Sequence, residues 1–209
     1  MKITKFGHAC LLIEEADARI LIDPGVFNQT PSVEKLDAIL ITHEHPDHCS
    51  VEQIKELLLQ SPDAPIYTHE GVGKVLSEAD IPYTPIKNGE EVMVNGVSVL
   101  SLGEEHAIIY EKVPCQNTGY MIAGKFFFPG DSFYVPEGKV EVLALPTGGP
   151  WMKVSEAIEY VKAVKPNVYI PVHDAMYTDA FREGVIHRIL TTNLDAEYRH
   201  MTAGSVEEF

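Results

Sequence analysis

The chain is short of cysteine, short of cations and without a long apolar run, and each shortage closes off a class of protein. Cys10, Cys49 and Cys115 are an odd number with no C-x-x-C pair. A disulfide framework and a thiolate zinc site are therefore not expected. Lys and Arg number 16 against 31 Asp and Glu, a net charge of −15. Nucleic acid and anionic membranes select clustered cations, so neither is an expected partner. No stretch approaches the roughly 20 apolar residues of a membrane helix. The first residues, "MKITKFGHACLLIEEADARILID", hold no continuous apolar segment and no small-residue cleavage site, which points to a cytoplasmic protein. No linker, low-complexity run or repeat stands out. The 209 residues, 45% of them apolar, suit one domain over 1–209.

The pattern is that of strands interrupted by a few helices. "KITKF", "ACLLIE" and "ARILID" are short strands, and "AILIT" is apolar throughout, as a strand covered on both faces should be. Ser50 is placed to cap a helix with Gln53 completing a capping box, and Val51, Ile54, Leu57 and Leu58 share its inner face. "APIYTH" is a strand and "GVGKVLSEA" a short helix. "EVMV-NG-VSVLSL" predicts a type I′ hairpin at Asn95-Gly96. A second hairpin turns at Gly124-Lys125 in "TGYMIA-GK-FFFPGD". After the strand "EVLALP", Ser155 is expected to cap a helix with Ala157, Ile158, Val161 and Val164 inward, ended by Pro166. "NVYIPVHD" is a strand, a helix covers "DAFREGVIHRILTTN", and "AEYRHM" closes the series. This order fits two packed sheets with helices outside better than one parallel sheet.

What the chain does have is chemistry at strand ends. "THEHPDHC" (Thr42–Cys49) follows "AILI" and puts three imidazoles and two further carboxylates beside an apolar strand. Burying such groups without partners costs about 2–7 kcal/mol each, so something must draw their lone pairs together. His106, Asp131 and His173 each follow another apolar run, and His8 lies between the first two strands. Imidazole and carboxylate are the donors for zinc, manganese or iron. In an extended H-x-H segment, His43 and His45 point the same way and can share one ion. Asp47 and His48 face elsewhere, toward a second ion. Asp131 is the candidate bridge.

This pattern resembles the H-x-H-x-D-H signature of the metallo-β-lactamase superfamily, with "ILIDPG", His106, "GDS" at Asp131, and His173 in the family's order. "KITKFGHACLLIE" and "LPTGGP" look like the branch typified by ascorbate-6-phosphate lactonase and related metal-dependent hydrolases. The resemblance implies an α/β fold, the four-layer αββα sandwich. It implies one ion on His43, His45 and His106, a second on Asp47, His48 and His173, and Asp131 between them. Asp131 stands where the zinc β-lactamases carry a cysteine, so the likeness is to the hydrolase branches. It also implies a place near the site for His8, alongside Asp47, in catalysis. Asp23 is expected to orient a ligand imidazole through its far nitrogen. Tyr134 and Trp151 are candidate pocket walls, and His69, His187 and His200 fall outside the pattern.

Two divalent ions less Asp47, Asp131 and a hydroxide leave roughly one positive charge at the site. The expectation is therefore a zinc-dependent hydrolase, with manganese or iron as other metals, acting on an ester, lactone or phosphodiester of a small anionic substrate. An iron oxidoreductase on the same scaffold and a metal-holding protein without turnover are the alternatives. Homo-oligomerisation is left open.

Overall fold

Residues 1–29, 31–110, 115–192 and 194–209 are described by a computed structural model. Its strands form two seven-stranded sheets. β1 (Lys2–Gly7), β2 (Cys10–Glu15), β3 (Ala18–Ile22), β4 (Ala38–Leu40), β5 (Ile66–Thr68) and β6 (Thr84–Pro85) belong to the first. β7 (Glu91–Val94), β8 (Val97–Leu102), β9 (Gly119–Ile122), β10 (Phe126–Phe128), β11 (Val142–Pro146), β12 (Val168–Val172) and β13 (Glu197–Tyr198) make the second. The last strand, β14 (Val206–Glu208), returns to pair with β1 in the first sheet.

Side-chain alternation shows why these strands are apolar on both faces. In β2, Leu11 and Ile13 point into the core between the sheets, while Cys10 and Leu12 face outward to a second apolar layer. In β10, Phe126 and Phe128 point inward and Phe127 outward. A strand with period-two alternation can fill two cores only if both its faces are covered. Helices α1 (Val51–Gln60) and α2 (Glu70–Glu78) cover the first sheet through Ile54, Leu57, Val72 and Leu76. Helix α3 (Val154–Val164) and a later helical segment cover the second through Ala157, Val161, Ile186 and Leu190. The layers are thus helix, sheet, sheet, helix, the αββα sandwich.

Local details depart from the sequence reading in four places. Helix α3 begins at Val154, with Lys153 as its cap, because the Glu156 carboxylate accepts the Lys153 N–H at 2.6 Å; Ser155 lies inside the first turn. Tyr160 takes a buried place on its inner face, and Ile158 is only half-buried. Ser50 does cap α1, but the Gln53 amide does not close a capping box. It donates to Gly25 O at 2.9 Å and accepts from Asn28 at 2.9 Å, tying down the loop after β3. The Asn95-Gly96 turn has positive φ at both residues, as type I′ needs. In the second hairpin the positive-φ pair is Ala123-Gly124, one residue earlier than expected, with Lys125 N–H donating to Ile122 O. Among the described residues no helix is long and apolar enough to cross a membrane.

Strand direction positions the site. β3, β4 and β5 run parallel, as do β10, β11 and β12. β8 lies antiparallel to β9, which lies antiparallel to β10, so β8 points with β10. The C-terminal ends of β4, β8, β10 and β12 therefore deliver their following residues to one edge.

Candidate metal centre

The first sheet supplies its donors from one turn. After β4, Thr42 and His43 are buried and the chain folds back through Pro46, with His48 N–H and Cys49 N–H both donating to His45 O at 2.9 Å. The loop Asp23–Val26 lies against this turn: Val26 N–H donates to Pro46 O and Ser50 N–H to Pro24 O, each at 2.9 Å. The approach is so close that a Cβ at Gly25 would collide with the Asp47 carbonyl, so glycine is required there. Asp23, fully buried, organises two imidazoles. It accepts from His48 Nδ1 at 2.7 Å and from Thr42 Oγ1 at 2.7 Å. Thr42 Oγ1, its proton used, accepts in turn from His43 Nδ1 at 3.0 Å. Both Nε2 lone pairs are thereby aimed into the site.

The second sheet supplies one donor per strand end. His106 Nδ1 donates to Ala107 O at 2.6 Å, and His173 Nδ1 donates to Gly148 O. Asp131 is fixed from two sides. Its backbone N–H donates to Asn117 Oδ1 at 3.0 Å, and its Oδ2 accepts the Trp151 indole N–H at 2.9 Å. Gly130, at φ +63, passes beneath Asn117, where a Cβ would strike the amide oxygen.

All seven sequence-selected donors converge. His43, His45, His106 and Asp131 form one group, and Asp47, His48 and His173, with His8, form another; within each group the donor atoms lie within 4.8 Å of one another. Asp131 stands between them: Oδ2 is 3.3 Å from His106 Nε2 and 3.0 Å from His173 Nε2, and Oδ1 is 3.2 Å from His48 Nε2. His48 Nε2, His106 Nε2, His173 Nε2 and Asp131 Oδ1 are buried and lack any hydrogen-bond partner. His43 Nε2 faces His45 Nδ1 at 3.0 Å, an encounter of lone pairs unless a cation or proton lies between. Buried polar groups without partners are rare, and four focused on one place fit a divalent pair of ions.

The charges divide accordingly. Burial, with the neighbouring imidazoles, holds His43 and His45 below the usual range. Burial also opposes charge on His48 and His173, but Asp131 outweighs it, raising His48 well above its ordinary value and His173 to about 9. Burial resists the ionisation of Asp131, yet His48 and His173 hold it far down. The metal-free centre thus carries protons where cations fit. His8 differs. Ala175 N–H donates to its Nδ1 at 3.2 Å, so the neutral ring keeps its proton on Nε2, which donates to Asp47 Oδ2 at 3.2 Å. Burial lowers its pKa to about 4, so the ring is neutral at pH 7. It is a hydrogen-bond donor to Asp47, with no free lone pair for an ion. His8, Asp23 and His173 all have positive φ. Left-handed backbone at non-glycine residues costs about 1–3 kcal/mol each and persists only where surroundings fix it.

Sequence reasoning missed the supporting residues. Asn117 carries no motif, Gln53 was given only a capping role, and Thr42 stood in the donor cluster without a role; each has a partner distant in the chain. His69, outside the pattern, is buried and caps α2, with Nε2 donating to Thr42 O at 3.0 Å directly before the donor turn. Tyr134 lines a cleft of about 550 Å³ beside His106, with Asn88, Ile108 and Ser132. Trp151 meets the Asp131 carboxylate itself. The cysteines are free thiols; Cys10 and Cys49 are buried, and Cys115 Sγ is 3.8 Å from His45 Nε2.

Comparison with known proteins identifies the family. A family model described as the beta-lactamase superfamily domain matches residues 2–173, a span that holds every donor above. Protein Rv0786c of Mycobacterium tuberculosis is 35% identical over 216 aligned positions, covering 100% of both chains. A UPF0173 metal-dependent hydrolase of Thermoplasma acidophilum is 29% identical, with 83% of each chain covered. Among solved structures, Igni18, described as a novel metallo hydrolase from Ignicoccus hospitalis, shares the fold with a TM-score of 0.73 at 23% identity, covering 100% of this chain and 98% of its own. By sequence match and by architecture, the chain belongs to the metallo-β-lactamase superfamily.

Proposed function

We propose that the chain is a metal-dependent hydrolase holding two divalent ions, one on His43, His45 and His106, the other on Asp47, His48 and His173, with Asp131 shared. The supporting observation is the set of buried, unpartnered donor atoms facing one another across the sheet edge. Zinc suits this imidazole-rich set, and manganese or iron share its ligands. When bound, such ions supply Lewis acidity and water ionised at neutral pH.

The chain's own residues then have distinct tasks. Asp23 and Thr42 hold the His48 and His43 rings in the tautomers that present Nε2. Trp151 and Asn117 hold Asp131. His8 Nε2–H steadies Asp47 and can donate to an oxygen of the substrate or leaving group. The cleft beside His106 admits a small molecule. The residual positive charge favours an anionic one, and an ester, lactone or phosphodiester bond meets the chemistry.

Elemental analysis and a panel of lactones and phosphodiesters test this. The expectation is two zinc or manganese ions per chain and turnover abolished by Asp47→Ala. Metal-loaded protein that hydrolyses none of the panel sinks the substrate assignment. Iron with visible absorbance and oxygen consumption replaces hydrolysis by redox chemistry.

A further inference from the structure

A third set of metal donors lies apart from the centre. The later helical segment consists of Asp179–Phe181, a π turn over Arg182–Ile186, and an α-helical turn over His187–Leu190. Glu183 and His187 stand four residues apart on it, and helical spacing puts them on one face. His200 approaches from the segment after β13. Glu183 Oε2 is 3.1 Å from His187 Nδ1, and its Oε1 is 3.3 Å from His200 Nε2. The two rings meet edge to face with centroids 4.0 Å apart. One donor atom from each of the three residues lies within 4.8 Å of the others.

We propose that Glu183, His187 and His200 form a third divalent-cation site, independent of the catalytic pair, that takes zinc and clamps the later helical segment to the segment after β13. The donor set is two imidazoles and one carboxylate, with the remaining positions open to water. Ligands about 2.1 Å from a tetrahedral zinc stand about 3.4 Å from each other; here each Glu183 oxygen lies 3.1 or 3.3 Å from one ring nitrogen. His187 is 7% exposed, its ring held by packing with Nδ1 toward Glu183, while Glu183 and His200 remain accessible. π turns recur at functional sites, and this one carries Glu183. Arg182 Nε, 3.6 Å from Glu183 Oε1, weakens attraction for a cation, so the site should fill after the catalytic pair.

The clamp reaches the centre through packing. Tyr198 of β13 lies against both His187 and Tyr169, and the Tyr169 hydroxyl donates to Leu190 O at 2.5 Å. Tyr169 belongs to β12, which ends at the donor His173.

The full chain, stripped by chelator and titrated with zinc in a buffered free-zinc series, tests the proposal. Wild type should take up one ion more than either Glu183→Gln or His200→Ala, and its thermal midpoint should rise with that ion while the variants' does not. In an Asp131→Asn background, where the catalytic pair is impaired, the extra ion should persist and vanish on adding His200→Ala. This separates the site from the hydrolase reading. Equal uptake by wild type and both variants overturns the proposal. So does uptake lost in His200→Ala but kept in Glu183→Gln, which marks a hydrogen-bonded triad with a lone surface imidazole.

Discussion

The two sheets build one edge by opposite means. The first concentrates His43, His45, Asp47 and His48 in a single turn, held by bonds between near neighbours and by the loop Asp23–Val26. The second contributes His106, Asp131 and His173 from separate strand ends; Asp131 and His173 are aimed by partners distant in the chain, His106 by the adjacent Ala107 carbonyl. A local turn is set by its own residues. A scattered set is set by strand register and by whatever ties the sheets together, so damage should spread further on the second side. Asp131 is the sharpest case, since its carboxylate, unlike that of Asp47, approaches imidazoles of both groups. Asp131→Asn should weaken both ions and cut turnover by more than the roughly 100-fold typical of losing an outer-shell partner. His43→Ala should weaken chiefly one ion. Metal counts on both variants decide this, and equal losses would erase the contrast.

The tie between sheets is itself testable. Lys5 of β1 is buried, and its ammonium donates to Pro171 O at 2.7 Å, Asp174 Oδ2 at 2.8 Å and Met201 O at 3.3 Å. It crosses from the first sheet to the end of β12, behind His173. Burial lowers its pKa, with Asp174 opposing, and the three acceptors match the three ammonium protons. Lys5→Met strands the Asp174 carboxylate and should cost about 3–5 kcal/mol. The double variant with Asp174→Asn should recover part of that in a denaturant melt. If the double variant is no more stable than the single, the pair is not what joins the sheets.

The same asymmetry governs what could be read in advance. The donor turn was legible because six consecutive positions carry its chemistry, and "LIDPG" betrayed Asp23. The central strands were legible because both faces of β4, β9, β10 and β11 are covered, which makes the runs apolar. The supporting groups were not. Asn117 matters because it accepts the Asp131 N–H from 14 positions away, and the bond from Trp151 to Asp131 spans 20 positions. Gln53 had a capping role on paper, but a loop 25 positions away competed for its amide. Ser155 lost the cap of α3 because the Glu156 side chain fixed the start two residues earlier, at Lys153. The π turn leaves no mark in the apolar spacing.

Protonation offers a subtler separation. In metal-free protein, His48 and His173 have raised pKa values, His173 to about 9. A raised folded value gives stability that is full below the ordinary 6.5 and lost as pH rises through about 9. His43 and His45 are lowered, so their contribution is present above 6.5 and lost as pH falls. Chelator-treated protein should therefore be most stable near pH 6.5, losing up to roughly 3 kcal/mol on the alkaline side. Bound ions displace these protons and should flatten the curve. A metal-free melting series that climbs steadily from pH 6 to 9 contradicts the arrangement.

The smallest expected effect isolates a single hydrogen bond on the second sheet's side. Trp151 is the chain's one tryptophan, 8% exposed, edge-on to His106 and His173 with centroids 5.9 Å from each, and bonded to Asp131 Oδ2. Trp151→Phe keeps an aromatic ring against Phe133 but removes the N–H. Asp131 then turns more freely, and metal affinity should fall about 10- to 100-fold, measured by chelator competition, with little loss of folding stability. Trp151→Ala adds a cavity and should cost about 3–5 kcal/mol as well, which separates packing from orientation. In wild type the indole emission should change as metal binds, because the ring touches the carboxylate shared by both groups. An emission that ignores metal, together with unaltered affinity in Trp151→Phe, would mean that Asp131 is held by Asn117 and its loop alone, and that the second sheet's donors are as locally determined as the first's.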